Sequence, residues 1–312
     1  MIAKCSILAS LTVLTGLFAR PTLDLAPATF SLPLHYNSKL RHQGFPSPLV
    51  RLRVGDHEAV FIVDTGASVN TVAAWFAREA RLNVRDSDAT VSGSTGHQTK
   101  IQTVSNVLGL FENRIPVHLT EANVVDFPPV FQANRLGGLL SPQLLASNGE
   151  ATVLNLRVPS LKIEPFDSAI AELGLAGPGT YVGTHACTNC ESLLFNRQYM
   201  VPVSVSGVDA ILLLDTGATH TLVTLKSRVG QSLTGRSVAG QHTQGVGGTV
   251  EENRSVSQVR VEFAGAKILI DNIIIGGAAT DCGPDGLVGM DALRSCVLVL
   301  GKSTAAIACQ HE

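Results

Sequence analysis

Hydrophobic and polar positions alternate most clearly in two places. Leu49–Val54 reads LVRLRV, apolar against charged, and runs into a turn at Gly55-Asp56. Val201, Val203 and Val205 alternate with Pro202 and Ser204 and run into a turn at Gly207. A period of two broken by glycine predicts a strand with one buried face and a second strand after the turn. In both places the following strand ends in an unbroken apolar run closed by an aspartate, Phe61-Ile62-Val63-Asp64 and Leu212-Leu213-Leu214-Asp215. Such a run predicts a buried strand. Thr71–Ala80 reads as a short helix after the first aspartate, with Trp75 in the core. Thr152–Ile163 and Val297–Ala308 read as β-rich.

The pattern is therefore a repeat, and a repeat of this length sets the architecture. Phe61-Ile-Val-Asp-Thr-Gly-Ala-Ser68 matches Leu212-Leu-Leu-Asp-Thr-Gly-Ala-Thr219, with the aspartates 151 positions apart. A polar, glycine-containing stretch follows each one. Gly96 lies 32 positions beyond Asp64 and Gly247 lies 32 beyond Asp215. A third landmark closes each half, Gly138-Leu-Leu-Ser-Pro-Gln-Leu-Leu145 and Gly286-Leu-Val-Gly-Met-Asp-Ala-Leu293. Landmarks in one order, twice, predict two similar lobes, residues 30–164 and 195–310. Residues 165–194, rich in Gly, Ala, Pro and Thr, read as the linker between them.

Composition narrows the class. The 312 residues are 45% hydrophobic and 15% charged, which excludes extended disorder. Aromatics are only 5%, so the core rests on Val, Leu, Ile and Ala. A net charge of −2 gives no footprint for nucleic acid. Lys4 is the only charge before Arg20, and the apolar run 5–19 is short for a membrane span. Residues 1–19 read as a secretory signal, or as an uncleaved N-terminal anchor, and so predict an exported protein: secreted, periplasmic or held at a membrane facing outward. Of the five cysteines beyond that leader, Cys187 and Cys190 are expected to form a local bridge. Two of Cys282, Cys296 and Cys309 are expected to pair. The C-x-x-C also has the spacing of a redox motif or half a zinc site, but no second one completes four ligands. Residues 230–237 have the spacing of a phosphate loop, but Arg236 stands where lysine is needed. With no G-x-S-x-G and no H-E-x-x-H, the sequence predicts neither metal nor cofactor. Asn253-Arg254-Ser255 is a glycosylation sequon.

The chemistry lies in the paired aspartates. A lone carboxylate at the end of a buried strand is costly to desolvate. Thr-Gly offsets part of that cost, because glycine permits a tight turn of N–H donors and the threonine hydroxyl braces it. Two such turns in matching lobes suggest a two-fold axis that brings the carboxylates together. Carboxyls in contact share a proton, so one is a base and the other an acid at one pH. A water between them could be deprotonated toward a peptide carbonyl while the second carboxyl protonates the oxygen.

These residues resemble the aspartic proteases, pepsin-like and retroviral, over most of the chain after residue 30. The resemblance implies a mainly all-β, bilobal fold with the active cleft between lobes, and a peptide or protein as substrate. It implies Asp64 and Asp215 as the catalytic dyad, both in one monomeric chain. It implies Thr65 and Thr216 as bracing residues and Gly66 and Gly217 as turn formers. The hairpins around Gly93 and Gly96, and around Gly245, Gly247 and Gly248, become two flaps over the cleft. Gly286-Leu-Val-Gly289 resembles the family's apolar-apolar-Gly element beneath the catalytic turn. Ser141 departs from it in the first half, and no tyrosine stands at the pepsin-like flap position. These departures are the only support for the alternative of a weak or inactive peptide-binding protein of the same fold, and the intact Asp-Thr-Gly in both halves speaks against it. Ala67 and Ala218 are of the retroviral kind. Pepsin-like relatives commonly place a serine there whose hydroxyl can donate to a carboxylate, so its absence predicts a mildly acidic optimum.

Overall fold

The computed structural model describes residues 30–42, 45–92, 98–174, 181–183, 198–240, 243–245, 248–250, 253–276, 283–302 and 304–310. The expected leader, Gly93, Gly96, Gly247, Cys187, Cys190 and Cys282 lie outside these residues.

The first half contains β1 (Phe30–Pro33), α1 (Ser38–His42), β2 (Leu49–Val54), β3 (His57–Val63), β4 (Thr71–Ala73), α2 (Ala74–Glu79), β5 (Val84–Ser92), β6 (Gln98–Phe111), β7 (Ile115–Val125), α3 (Pro129–Ala133), β8 (Leu136–Leu140), β9 (Glu150–Asn155) and β10 (Ser160–Pro165). Then come α4 (Phe166–Glu172) and β11 (Tyr181–Gly183). The second half contains β12 (Met200–Val205), β13 (Val208–Leu214), β14 (Leu222–Val223), α5 (Arg228–Thr234), β15 (Val238–Ala239), β16 (Thr243–Gly245), β17 (Gly248–Val250), β18 (Arg254–Phe263), β19 (Ala266–Ile275), β20 (Gly286–Val288), α6 (Met290–Leu293), β21 (Cys296–Leu300) and β22 (Thr304–Cys309).

Each half curls its sheet into a barrel. In the first, the order β2-β3-β8-β4-β7-β6 closes because β6 also pairs with β2, and β5 extends from β6. In the second, β12-β13-β20-β14-β19-β18 closes through β12 and β18, with β15 appended. Strand for strand the order is the same. Closure removes the open edges that a long apolar strand would otherwise expose. The alternating residues do what their period predicts: Leu52 and Val54 face inward while Arg51 is exposed. Phe61, Ile62 and Val63 are all buried, because β3 lies between antiparallel β2 and parallel β8.

The expected helix over 71–80 is shorter than predicted. Thr71–Ala73 is a strand, fully buried, parallel to β7 and antiparallel to β8, and only Ala74–Glu79 is helical. The β-branched Thr71 and Val72 fit that sandwiched position better than a helix. Trp75 packs edge-on against Phe76, donates from Nε1 to Leu136 O at 3.1 Å, and lies under the Arg135 guanidinium.

A third sheet joins the halves. Its order is β1-β10-β9-β21-β22-β11, antiparallel throughout. At its centre β9 of the first half pairs with β21 of the second, Leu154 opposite Leu298. One face of this pair enters the main core. The other, Val153 with Val299, is covered by Ala169 and Ile170 of α4. The expected linker thus begins as a helix packed on the shared sheet. Cys296 and Cys309 face each other at the end of β21 and β22 and form a disulfide. Asn253 of the sequon is only 5% exposed, so glycosylation there would require unfolding. Among the described residues no helix is long and apolar enough to cross a membrane.

Candidate active site

Both aspartates sit where a buried strand stops and the chain turns back. The Asp64 N–H still bonds Leu140 O on β8 at 2.8 Å, and the Asp215 N–H bonds Val288 O on β20 at 3.0 Å. Beyond them the backbone amides point at the carboxylates. Asp64 Oδ1 accepts from Gly66 N–H at 2.8 Å and Ala67 N–H at 3.2 Å. Asp215 Oδ1 accepts from Gly217 N–H at 2.9 Å and Ala218 N–H at 3.0 Å. Charge-assisted bonds of this kind offset part of the desolvation cost.

The threonines brace the other half rather than their own turn. Thr65 Oγ1 donates to Leu214 O at 2.8 Å and accepts the Thr216 N–H at 3.0 Å. Thr216 Oγ1 donates to Val63 O at 2.7 Å and accepts the Thr65 N–H at 3.1 Å. Both side chains are fully buried. An orphaned hydroxyl partner there would cost about 1–3 kcal/mol, so the crossed bonds lock the halves in register at the dyad. The glycines also have a cross-lobe reason. A Cβ on Gly66 would stand 2.6 Å from Asp215 Cγ, and one on Gly217 the same distance from Asp64 Cγ. Any side chain at either glycine would displace the opposite carboxyl.

The two carboxyl groups are close enough to act directly on each other. Burial is the first cause raising both above the ordinary carboxylate range. On Asp215 the charge of Asp64 and the bond to it push further upward, so its carboxyl titrates well above the usual range. On Asp64 the Asp215 bond and the amides of Gly66, Ala67 and Gly217 act against burial. The pair therefore holds one shared proton to a higher pH than two separate aspartates would.

Beneath the turns lies a layer that the repeat encodes but motif reading passes over. Asn70 Oδ1 accepts the Ser141 N–H at 2.9 Å, and Thr221 Oγ1 accepts the Gly289 N–H at 3.2 Å. Gln143 Nε2 donates to Ala67 O at 2.8 Å, while Asp291 accepts from Thr221 N–H at 2.8 Å and Thr221 Oγ1 at 2.7 Å. Asn70 and Thr221 each stand six residues beyond their Asp, and Gln143 and Asp291 each stand two beyond the Ser141/Gly289 position. Aligning the halves position by position finds them. Ser141 does not weaken the first support. Its hydroxyl donates to Ala67 O at 2.8 Å. Gly289 cannot make the same change, since a Cβ would lie 2.5 Å from the backbone carbon of His220.

Of the predicted flap residues, Gly245 and Gly248 pair across the β16–β17 hairpin. In the first half β5 and β6 pair up to Ser92 and Gln98. Of the tyrosines, Tyr199 is buried, with its hydroxyl donating to Gly301 O.

Two barrels, a sheet shared between them and paired Asp-Thr-Gly turns at their junction define a bilobal protein of the aspartic proteinase fold. A family model described as aspartyl protease matches residues 50–126, the span from β2 past β7 that holds the first turn. Among solved structures, an aspartic proteinase from Irpex lacteus is similar with a TM-score of 0.52 and 13% identity. That match covers 91% of this chain and 98% of the other, a likeness of fold. No curated protein matches the chain. The family model thus reaches the first half, and the solved structure shows that the whole chain shares the fold.

Proposed function

We propose that the protein is an aspartic endopeptidase with Asp64 and Asp215 as its catalytic dyad. The observation that carries this reading is the meeting of two carboxyls in matched turns, each held by two backbone amides of its own turn and each seated against the glycine of the opposite one. In the proposed reaction Asp64 removes a proton from a water held between the two groups. The water oxygen attacks the peptide carbonyl as Asp215 gives its proton to the carbonyl oxygen. The tetrahedral diol then collapses. Asp64 hands its proton to the leaving nitrogen, the C–N bond breaks, and Asp215 recovers a proton from the diol hydroxyl. Atoms and charges balance without a covalent intermediate, and the dyad ends as it began.

The segments around Gly93 and Gly96, and around Gly245, Gly247 and Gly248, are proposed to cover the bound peptide and exclude water. The apolar leader supports an exported enzyme. Digestion of a peptide library, with and without a transition-state inhibitor of aspartic proteases, tests the activity. Cleavage that the inhibitor stops is expected. Cleavage that it leaves untouched, or none at any pH, contradicts the proposal.

A further inference from the structure

Two more hydrogen bonds cross between the halves beside the dyad, and the threonines take no part in them. Ser47 Oγ donates to Gly217 O at 3.2 Å. Gln198 Nε2 donates to Gly66 O. Ser47 stands 17 residues before Asp64, and Gln198 stands 17 before Asp215. They are the same position of the repeat, on the segments that lead into β2 and β12, and each reaches the glycine carbonyl of the opposite half. Ser47 is only 1% exposed.

The peptide groups they touch are the ones that hold the carboxylates. Gly66 C=O and Ala67 N–H are two ends of one planar amide, and that N–H donates to Asp64 Oδ1 at 3.2 Å. Gly217 C=O and Ala218 N–H form the matching amide, which donates to Asp215 Oδ1 at 3.0 Å. Donation to an amide oxygen polarises the group and strengthens its N–H as a donor. We propose that Ser47 and Gln198 are positioning residues for the dyad. Gln198 orients and polarises the amide that holds Asp64, and Ser47 does so for the amide that holds Asp215. Each half thus acts on the carboxylate of the other through a single peptide group. This deepens the endopeptidase reading and rests on it.

The influences on the two carboxyls are burial, each other, and the amides of Gly66, Ala67, Gly217 and Ala218. Beneath the second turn Asp291 is turned toward Thr221, and His220 lies 3.8 Å from Asp291. Neither is altered by a change at Ser47 or Gln198, so the two side chains can be tested separately.

The test is the pH profile of peptide cleavage in Gln198→Met and Ser47→Ala, with carboxyl titration of both variants followed by 13C-aspartate resonances. A donor to an ionised carboxylate lowers its pKa, so a weaker donor raises it. Gln198→Met is expected to move the acid limb, where Asp64 ionises, upward by about 0.5 pH unit. Ser47→Ala is expected to move the alkaline limb, where Asp215 gives up the shared proton, upward by a similar amount. Ser47→Thr, which keeps the hydroxyl, should restore the wild-type limbs. If Ser47→Ala or Gln198→Met does not fold, Ser47→Cys and Gln198→Glu carry the test. The first is a weaker donor of the same shape, and the second donates only when protonated. Folded variants whose limbs and resonances stay in place, with or without a fall in turnover, overturn the positioning role. A wild-type protein that cleaves no peptide and titrates its two carboxyls independently overturns the endopeptidase reading, and this inference with it.

Discussion

Asp64 and Asp215 have nearly identical neighbours, yet two adjacent desolvated carboxyls cannot both ionise at low cost. Their raised titration has a consequence for stability. An acid whose folded pKa lies above its unfolded value, about 3.9 for aspartate, binds its proton more tightly when folded. Its contribution is fully present below that unfolded value and is lost as pH rises through the folded one. Asp215 is raised furthest, so the dyad should cost stability between mildly acidic and neutral pH. Asp215→Asn has no proton to lose, still accepts from Gly217 and Ala218, and can donate to Asp64. Its Tm should exceed that of the parent near pH 7 by roughly 3 °C, with the gap closing toward pH 4. Thermal melts across that range are the check. A gap that stays constant with pH would show that repacking, not titration, is responsible.

At the scale of elements, the site depends on strands that end on time. β3 and β13 deliver the aspartates, β8 and β20 fix their backbones, and β9 and β21 lock the halves behind them. The Cys296–Cys309 disulfide closes the β21–β22 hairpin across a separation of 13 residues. The chain-entropy view assigns such a loop about 3 kcal/mol. Cys296→Ser with Cys309→Ser should lower the unfolding midpoint accordingly, and non-reducing peptide mapping should recover the bridged pair from the parent protein. Recovery of both as free thiols would contradict the pairing. The strands were legible because Val50–Val54 and Val201–Val205 keep a period of two and each doubling reinforced the other. Thr71–Ala73 was not, because three residues are too few for a period to show. The shared sheet was also hidden, since no local pattern says that β9 will pair with a strand more than 140 residues later.

The whole molecule is one chain that supplies both halves of its cleft, with Thr65 and Thr216 bonded across the junction. It should therefore act as a monomer. Its specific activity should not change over a hundredfold dilution, whereas a site assembled from two chains would lose activity as dimers dissociate. Much of the dyad was readable from sequence, because Asp-Thr-Gly-Ala recurs at matched places. The reasons for its residues were not. That Thr65 serves the opposite half and that Gly66 makes room for Asp215 are facts of proximity between segments about half a chain apart, and Asn70 and Asp291 underpin the turns across about 70 residues within their own halves.

The most direct measurement is peptide cleavage by Asp64→Asn and by Asp215→Asn beside the parent protein, with folding verified in each. Both variants keep the crossed threonine bonds and can keep the amide donors, so each removes one proton site and little else. The expected result is loss of at least about a thousandfold in kcat for either variant, as for groups that act as one unit. Near-parental turnover in either folded variant would contradict the shared dyad.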